Sequence, residues 1–258
     1  MIYRMWIATL LSLPAPVYGT PYIELVDRVE INWTKLRVQF YGYDEPPFPG
    51  SQVELKAIEK RAWREGIAYI AKKAKEIYVT NFESIDFNTK QLSDYSQEVA
   101  LGVAQATMST NTVYFPNGGV QVVLESALTQ FLKPKGLKFI QKESAVSGST
   151  HYTGIHVKLD RKTRPQVFYK IVAEDGKLLF DYRSLAEESF AKSLSGRWVI
   201  KPQQSEVEDL VGAQPVAIEA RVLREGLFQV QRQEWDNALL GHKGLLASCT
   251  ILLSMPSS

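Results

Sequence analysis

From residue 26 to residue 43 the chain reads VDRVEINWTKLRVQFYGY, with apolar and polar positions in alternation and many Val, Ile, Trp, Phe and Tyr residues. A period of two belongs to strands that bury one face, and the run is long enough for a hairpin. DEPPFPG (44–50) ends it, because its three prolines remove hydrogen-bond donors and fix φ. The period then changes. Across 53–77, Ile58, Ala62, Ile67, Ile70, Ala74 and Ile77 recur at three- to five-residue steps, with Trp63 beside them and charges opposite. That spacing predicts an amphipathic helix. EIYVTNFESIDF (76–87) reads as a strand, and a short second helix is expected from Asp94, with Gln97 as its capping-box partner. TNTVYF and VQVVLESALTQF flank PNGG (116–119), a hairpin signal. The first half is therefore expected to run strand–strand–helix–strand–helix–strand–strand.

KPKG (133–136) and SAVSGST (144–150) have the composition of linkers. Beyond them the pattern is mostly strand. YTGIHVKL opens the second half, and TRPQVFYKIVAEDGKLLFDY (163–182) holds two apolar runs around Glu174-Asp175-Gly176. Residues 184–194 suit a short helix, and QPVAIEARVL (214–223) and the terminal GLLASCTILLS read as further strands. The fold class predicted is α+β: an amphipathic helix packed on an antiparallel sheet, followed by a second β-rich region. The expected divisions are 1–19 as a signal peptide, 20–135 as the helix-on-sheet domain and 136–258 as the β-rich C-terminal region.

The signal-peptide expectation rests on Arg4, the apolar run MWIATLLSL (5–13) and the small residues Val17 and Gly19 at −3 and −1 of a cleavage site. So short an apolar run cannot span about 30 Å of hydrocarbon as a helix. The expectation is an exported, periplasmic protein, outer-membrane associated, with no transmembrane segment after cleavage. Over the whole 258 residues, 30 basic and 28 acidic groups leave +2, which argues against nucleic acid or an anionic membrane as a partner held by bulk charge. Cys249 is the one cysteine, so no intrachain disulfide can form, and its apolar setting suits an inert buried thiol.

Each candidate chemistry has a plainer reading. Glu174-Asp175-Gly176 resembles part of a calcium loop, but Lys177 follows where alternating oxygen ligands are needed, so a hairpin turn at positive φ is preferred. His151 and His156 lie five apart in a strand and should point to opposite faces, and His242 is distant. There is no Gly-x-Ser-x-Gly elbow and no Gly-Lys-Ser/Thr phosphate loop. Glu187 and Glu188 are neighbours on a helix and diverge. Asn32 sits in a formal glycosylation sequon, INWT, but is read as strand. Lys72, Lys73 and Lys75 share their helix with Glu54, Glu59, Glu65 and Glu76, as on a solvated face. No catalytic, cofactor-binding or metal-binding residue is assigned, and no cofactor is expected.

Four segments in order carry a resemblance: residues 31–79, YTGIHVKLDRKTRPQVFYKIVAEDGKLLFD, VGAQPVAIEARVLREG, and WDNALL leading into CTILLSM. Together they resemble a family of exported bacterial proteins that includes small outer-membrane Lpp-type lipoproteins, FlgP and the N-terminal domain of FlgT. The chain departs from it at Asp160-Arg161-Lys162-Thr163, where the family has glycines, and it lacks a lipid-attachment cysteine. The resemblance implies a helix-on-sheet envelope module of the kind linked to flagella or outer-membrane assemblies. The partners expected are other envelope or flagellar proteins, with a homo-oligomer as a further option. The expectation drawn is a non-enzymatic structural or assembly protein. The rivals are a periplasmic binding module for a small ligand or glycan, using Trp198 and Trp235, and an exported hydrolase.

Overall fold

The computed structural model describes residues 20–48, 54–82, 102–131, 139, 152–239, 246 and 250–257. The protein is α+β, built on two sheets. β1 (Thr20–Pro21) belongs to the larger one, while β2 (Ile23–Val26), β3 (Val29–Asn32) and β4 (Arg37–Asp44) open the smaller. The expected hairpin thus has a third strand. Helix α1 (Leu55–Phe82) follows, then β5 (Met108–Tyr114) and β6 (Val120–Ala127), giving an antiparallel five-stranded sheet in the order β2-β3-β4-β6-β5. The PNGG hairpin forms as expected, with Gly118 at φ 84° and its N–H donating to Phe115 O at 2.9 Å.

Two expectations fail. Residues 76–82 are the end of α1 and not a strand. Ile77, Tyr78 and Val79 suit a strand by type, but strand preference yields to context, and no glycine or proline after Gly66 stops the growing helix. The end of the predicted 120–131 strand, Leu128–Phe131, is instead a helical turn, α2. The helix expected from Asp94 begins outside the described residues, and residues 102–106 are helical. Residues 1–19, both linkers, His151, His242 and Cys249 also lie outside them.

What holds α1 to the sheet is a stripe at four-residue spacing, with Ile58, Ala62, Gly66 and Ile70 all turned inward. Ala62 and Gly66 are small where β4 presents Gly42, so backbone meets backbone. A Cβ at Gly42 would run into the Ala62 carbonyl oxygen and lie 2.7 Å from Gly66 N.

The larger sheet has eight strands in the order β1-β10-β13-β7-β11-β12-β8-β9. Its strands are β7 (Gly154–Leu159), β8 (Lys170–Val172), β9 (Leu178–Phe180), β10 (Arg197–Ile200), β11 (Pro215–Arg224), β12 (Leu227–Val230) and β13 (Thr250–Met255). β10, β13, β7 and β11 run parallel, which requires crossovers. Helices α3 (Glu187–Ser193), α4 (Gln204–Val211) and α5 (Arg232–Leu239) lie in those connections. The first was expected; α4 and α5 are short, and strand patterns surround them.

The two sheets share one core. Val38, Phe40 and Leu124 of the small sheet belong to the same buried cluster as Val157, Ile218 and Leu253 of the large one. Trp198 N–H donates to Trp33 O at 3.4 Å, and Thr34 Oγ1 donates to Trp198 O while accepting from Tyr22 N–H at 2.9 Å. Arg164 of the large-sheet region pairs with Glu24 of β2 at 2.8 Å.

Candidate interaction surface

The faces of the small sheet follow from its register. Val29, Phe40 and Leu124 stand in one rung and face α1. The neighbouring rung crosses all five strands as Leu25, Glu30, Gln39, Glu125 and Met108, and because side chains alternate it must face the other way. Its two ends are apolar and exposed, Leu25 at 73% and Met108 at 67%. Between them lies a polar trough of about 420 Å3 lined by Glu30, Asn32, Lys35, Arg37, Gln39 and Glu125. Arg37 pairs with Glu125, and Asn32, the last residue of β3 as its strand reading places it, accepts at Oδ1 from Lys35 N–H at 2.8 Å.

Toward the PNGG turn the same face becomes aromatic. Tyr43 and Phe115 meet edge to face with centroids 5.9 Å apart, and Val113 shares a rung with Tyr43 through Gln121. Phe48 is also exposed. No described helix covers this face, whereas the opposite face is closed by α1. Among the described residues this sheet face is therefore left without a helix, apolar at its margins and charged at its centre. Such a surface suits contact with another macromolecule better than chemistry on a small substrate.

The residues weighed in the sequence take other roles. Glu174-Asp175-Gly176 is the expected turn: Gly176 has φ 78°, and Asp175 Oδ1 accepts from Lys177 N–H at 2.9 Å. The turn also docks on α5, where Glu174 Oε2 accepts from Arg232 N–H at 2.9 Å and Arg232 lies 3.5 Å from Asp175. Among the described residues no three His, Cys, Asp or Glu side chains gather as metal ligands would. Trp198 and Trp235 are buried, Trp198 edge-on to Tyr169 and Phe228 and Trp235 tilted against Phe180, so they cannot serve as the glycan platform considered for them. Ser195 is buried too, its hydroxyl without a hydrogen-bond partner among the described residues. Glu187 and Glu188 occupy the first turn of α3, where acids complement the helix dipole. On α1, Lys73 lies 3.8 Å from Asp27.

One pairing was not anticipated. His156 of β7 and Ser254 of β13 are both buried, with Nε2 to Oγ at 2.8 Å. Burial pushes the imidazole down to about 4, helped by the Lys158 ammonium and opposed by Glu219. It is thus neutral near pH 7. The only signal in the sequence was a polar residue flanked by apolar ones in each of two strands, Ile155-His156-Val157 and Leu253-Ser254-Met255. The pair sits within the sheet, where both side chains are buried and hydrogen-bond across neighbouring strands. Besides these, the outer-face rung went unrecognised, since alternation shows that a strand has two faces but not which one a helix will cover.

No protein-family model matches the chain, and no curated protein matches it either.

Proposed function

We propose that the protein is a non-enzymatic structural or assembly component of the bacterial envelope, working in the periplasm on the outer-membrane side, with flagellar assemblies among the settings its sequence resemblance implies. The observation that carries the reading is the outer face of the five-stranded sheet, which no helix among the described residues covers, with the exposed Leu25 and Met108 at its margins. An enzyme or a transport protein concentrates its polar groups in a concave site, whereas an assembly component spreads recognition over a surface. Two tests bear on this. The first is export: N-terminal sequencing of protein recovered from the envelope fraction should begin at Thr20, and an intact Met1 would contradict periplasmic release. The second is a complementation assay. Deletion of the gene should impair motility or envelope integrity, and a Leu25→Lys/Met108→Lys double variant with unchanged melting temperature should fail to restore it. Full rescue by that variant sinks the surface reading.

The trough favours one rival, binding of a small polar or glycan ligand between Glu30, Arg37 and Glu125. Its mark would be loss of function in Arg37→Ala with Leu25→Lys/Met108→Lys still active.

A further inference from the structure

The small sheet has two edges, and they are finished differently. β2 is four residues long and carries Glu24, whose carboxylate accepts from Trp33 Nε1 at 3.0 Å and from Arg164 Nε at 2.9 Å. That edge is tied into the rest of the molecule. β5 is seven residues long, Met-Ser-Thr-Asn-Thr-Val-Tyr, and contains neither a charge nor a proline. Natural proteins normally protect a long edge with lysines, prolines, bulges or brevity, because unpaired N–H and C=O groups are a template for another strand. β5 uses only one of these, a register shift between Ser109 and Asn111. Beyond it, Asn111–Tyr114 pairs regularly with β6 on one side, and among the described residues no strand pairs with the other.

We infer that a second copy of this chain pairs there, β5 against β5 and antiparallel, about a two-fold axis normal to the sheet. The two five-stranded sheets then become one continuous sheet. Self-pairing explains the composition. About a two-fold centred on Val113, a charge at or beside that position is set close to its own copy, and like charges opposed across strands are destabilising. A strand selected for a different, charged partner would gain from carrying the complementary charge. β5 carries none. The axis preserves faces, so centring on Val113 sets that residue against its own counterpart and Thr112 against Tyr114. These are β-branched and aromatic pairs of the kind sheets favour. Val113 is 38% exposed and points away from α1, so its outer flank is available. The exposed apolar Met108 and Phe115 flank the strand and continue the same surface.

Sedimentation equilibrium of the purified protein tests this directly. The expected result is a monomer–dimer equilibrium. Val113→Lys places two ammonium groups opposite each other and should raise the dissociation constant at least tenfold while leaving the melting temperature of the dilute monomer unchanged. Asn111→Lys is the second variant should the first fold poorly. Leu25→Lys, at the opposite edge, should dimerise as the parent does. Hydrogen exchange gives a reading without mutation, since amides of residues 111–114 should gain protection as protein concentration rises. A monomer at every concentration into the millimolar range overturns the inference, as does a dimer indifferent to both β5 lysines or concentration-independent exchange. The envelope reading is tested separately, because a monomer can still complement the deletion and a dimer can fail to.

Discussion

His156 shows how one buried side chain ties stability to pH. In the unfolded chain an imidazole takes its proton near 6.5, but in the folded protein burial delays this to about 4. As pH falls through that window the unfolded state binds the proton first, so folding stability drops from about pH 6.5 and levels off below 4. The full effect is at most about 3 kcal/mol. Urea unfolding at pH 7.5 and 4.5 should show the loss, and His156→Gln should flatten it. An unchanged slope in the variant would assign the pH dependence elsewhere. Glycine gives a second contrast at this scale. Gly176 stands in open space at φ 78°, so Gly176→Ala should cost only about 1–2 kcal/mol of backbone strain. Gly42→Ala meets the backbone of α1 and should cost about 3 kcal/mol or more, visible as a markedly lower melting temperature. Only the first of these was legible in the sequence. Asp-Gly between apolar runs states its own turn, whereas the need for Gly42 exists only because Ala62 and Gly66 come to lie on it from elsewhere in the chain.

Elements follow the same division. Those with a sustained period, the strands of residues 26–43 and the body of α1, emerge where the pattern places them because local propensity and tertiary packing agree. The end of α1 does not, since its aromatic and β-branched residues suit either state and continuity with a formed helix decides. Short α5 was hidden because its first turn is completed from outside, by Glu174 of the distant β8–β9 hairpin. That yields a test. Glu174→Ala removes an acceptor from the α5 N-terminus and should cost about 1 kcal/mol, as a lost helix cap does. Calcium should not alter the melting temperature of either protein. Stabilisation by calcium that disappears in Glu174→Ala would show that the turn binds a cation after all.

At the scale of the molecule, the question is whether a helix-on-sheet half and a β-rich half behave as separate bodies. The shared core cluster argues that they do not, and so does β1, which enters the large sheet before the chain builds the small one. The joint is narrow in its polar part. Thr34 Oγ1 holds Tyr22 N–H on one side and the Trp198 carbonyl on the other, at a position only 6% exposed. Thr34→Val keeps the shape of the side chain but leaves both groups without their partner, which should cost about 1–3 kcal/mol. If the core makes one cooperative unit, calorimetric and far-ultraviolet melts of the parent protein should coincide in a single transition. Thr34→Val should then lower that transition without splitting it. A variant that melts in two steps would show that this threonine, and not the surrounding apolar contacts, couples the sheets. Buried apolar area between them scales with many side chains, among them Trp33 and Trp198, whereas the hydroxyl contributes two hydrogen bonds. The apolar contacts set cooperativity and the hydroxyl sets register, so one lowered transition is the expected result.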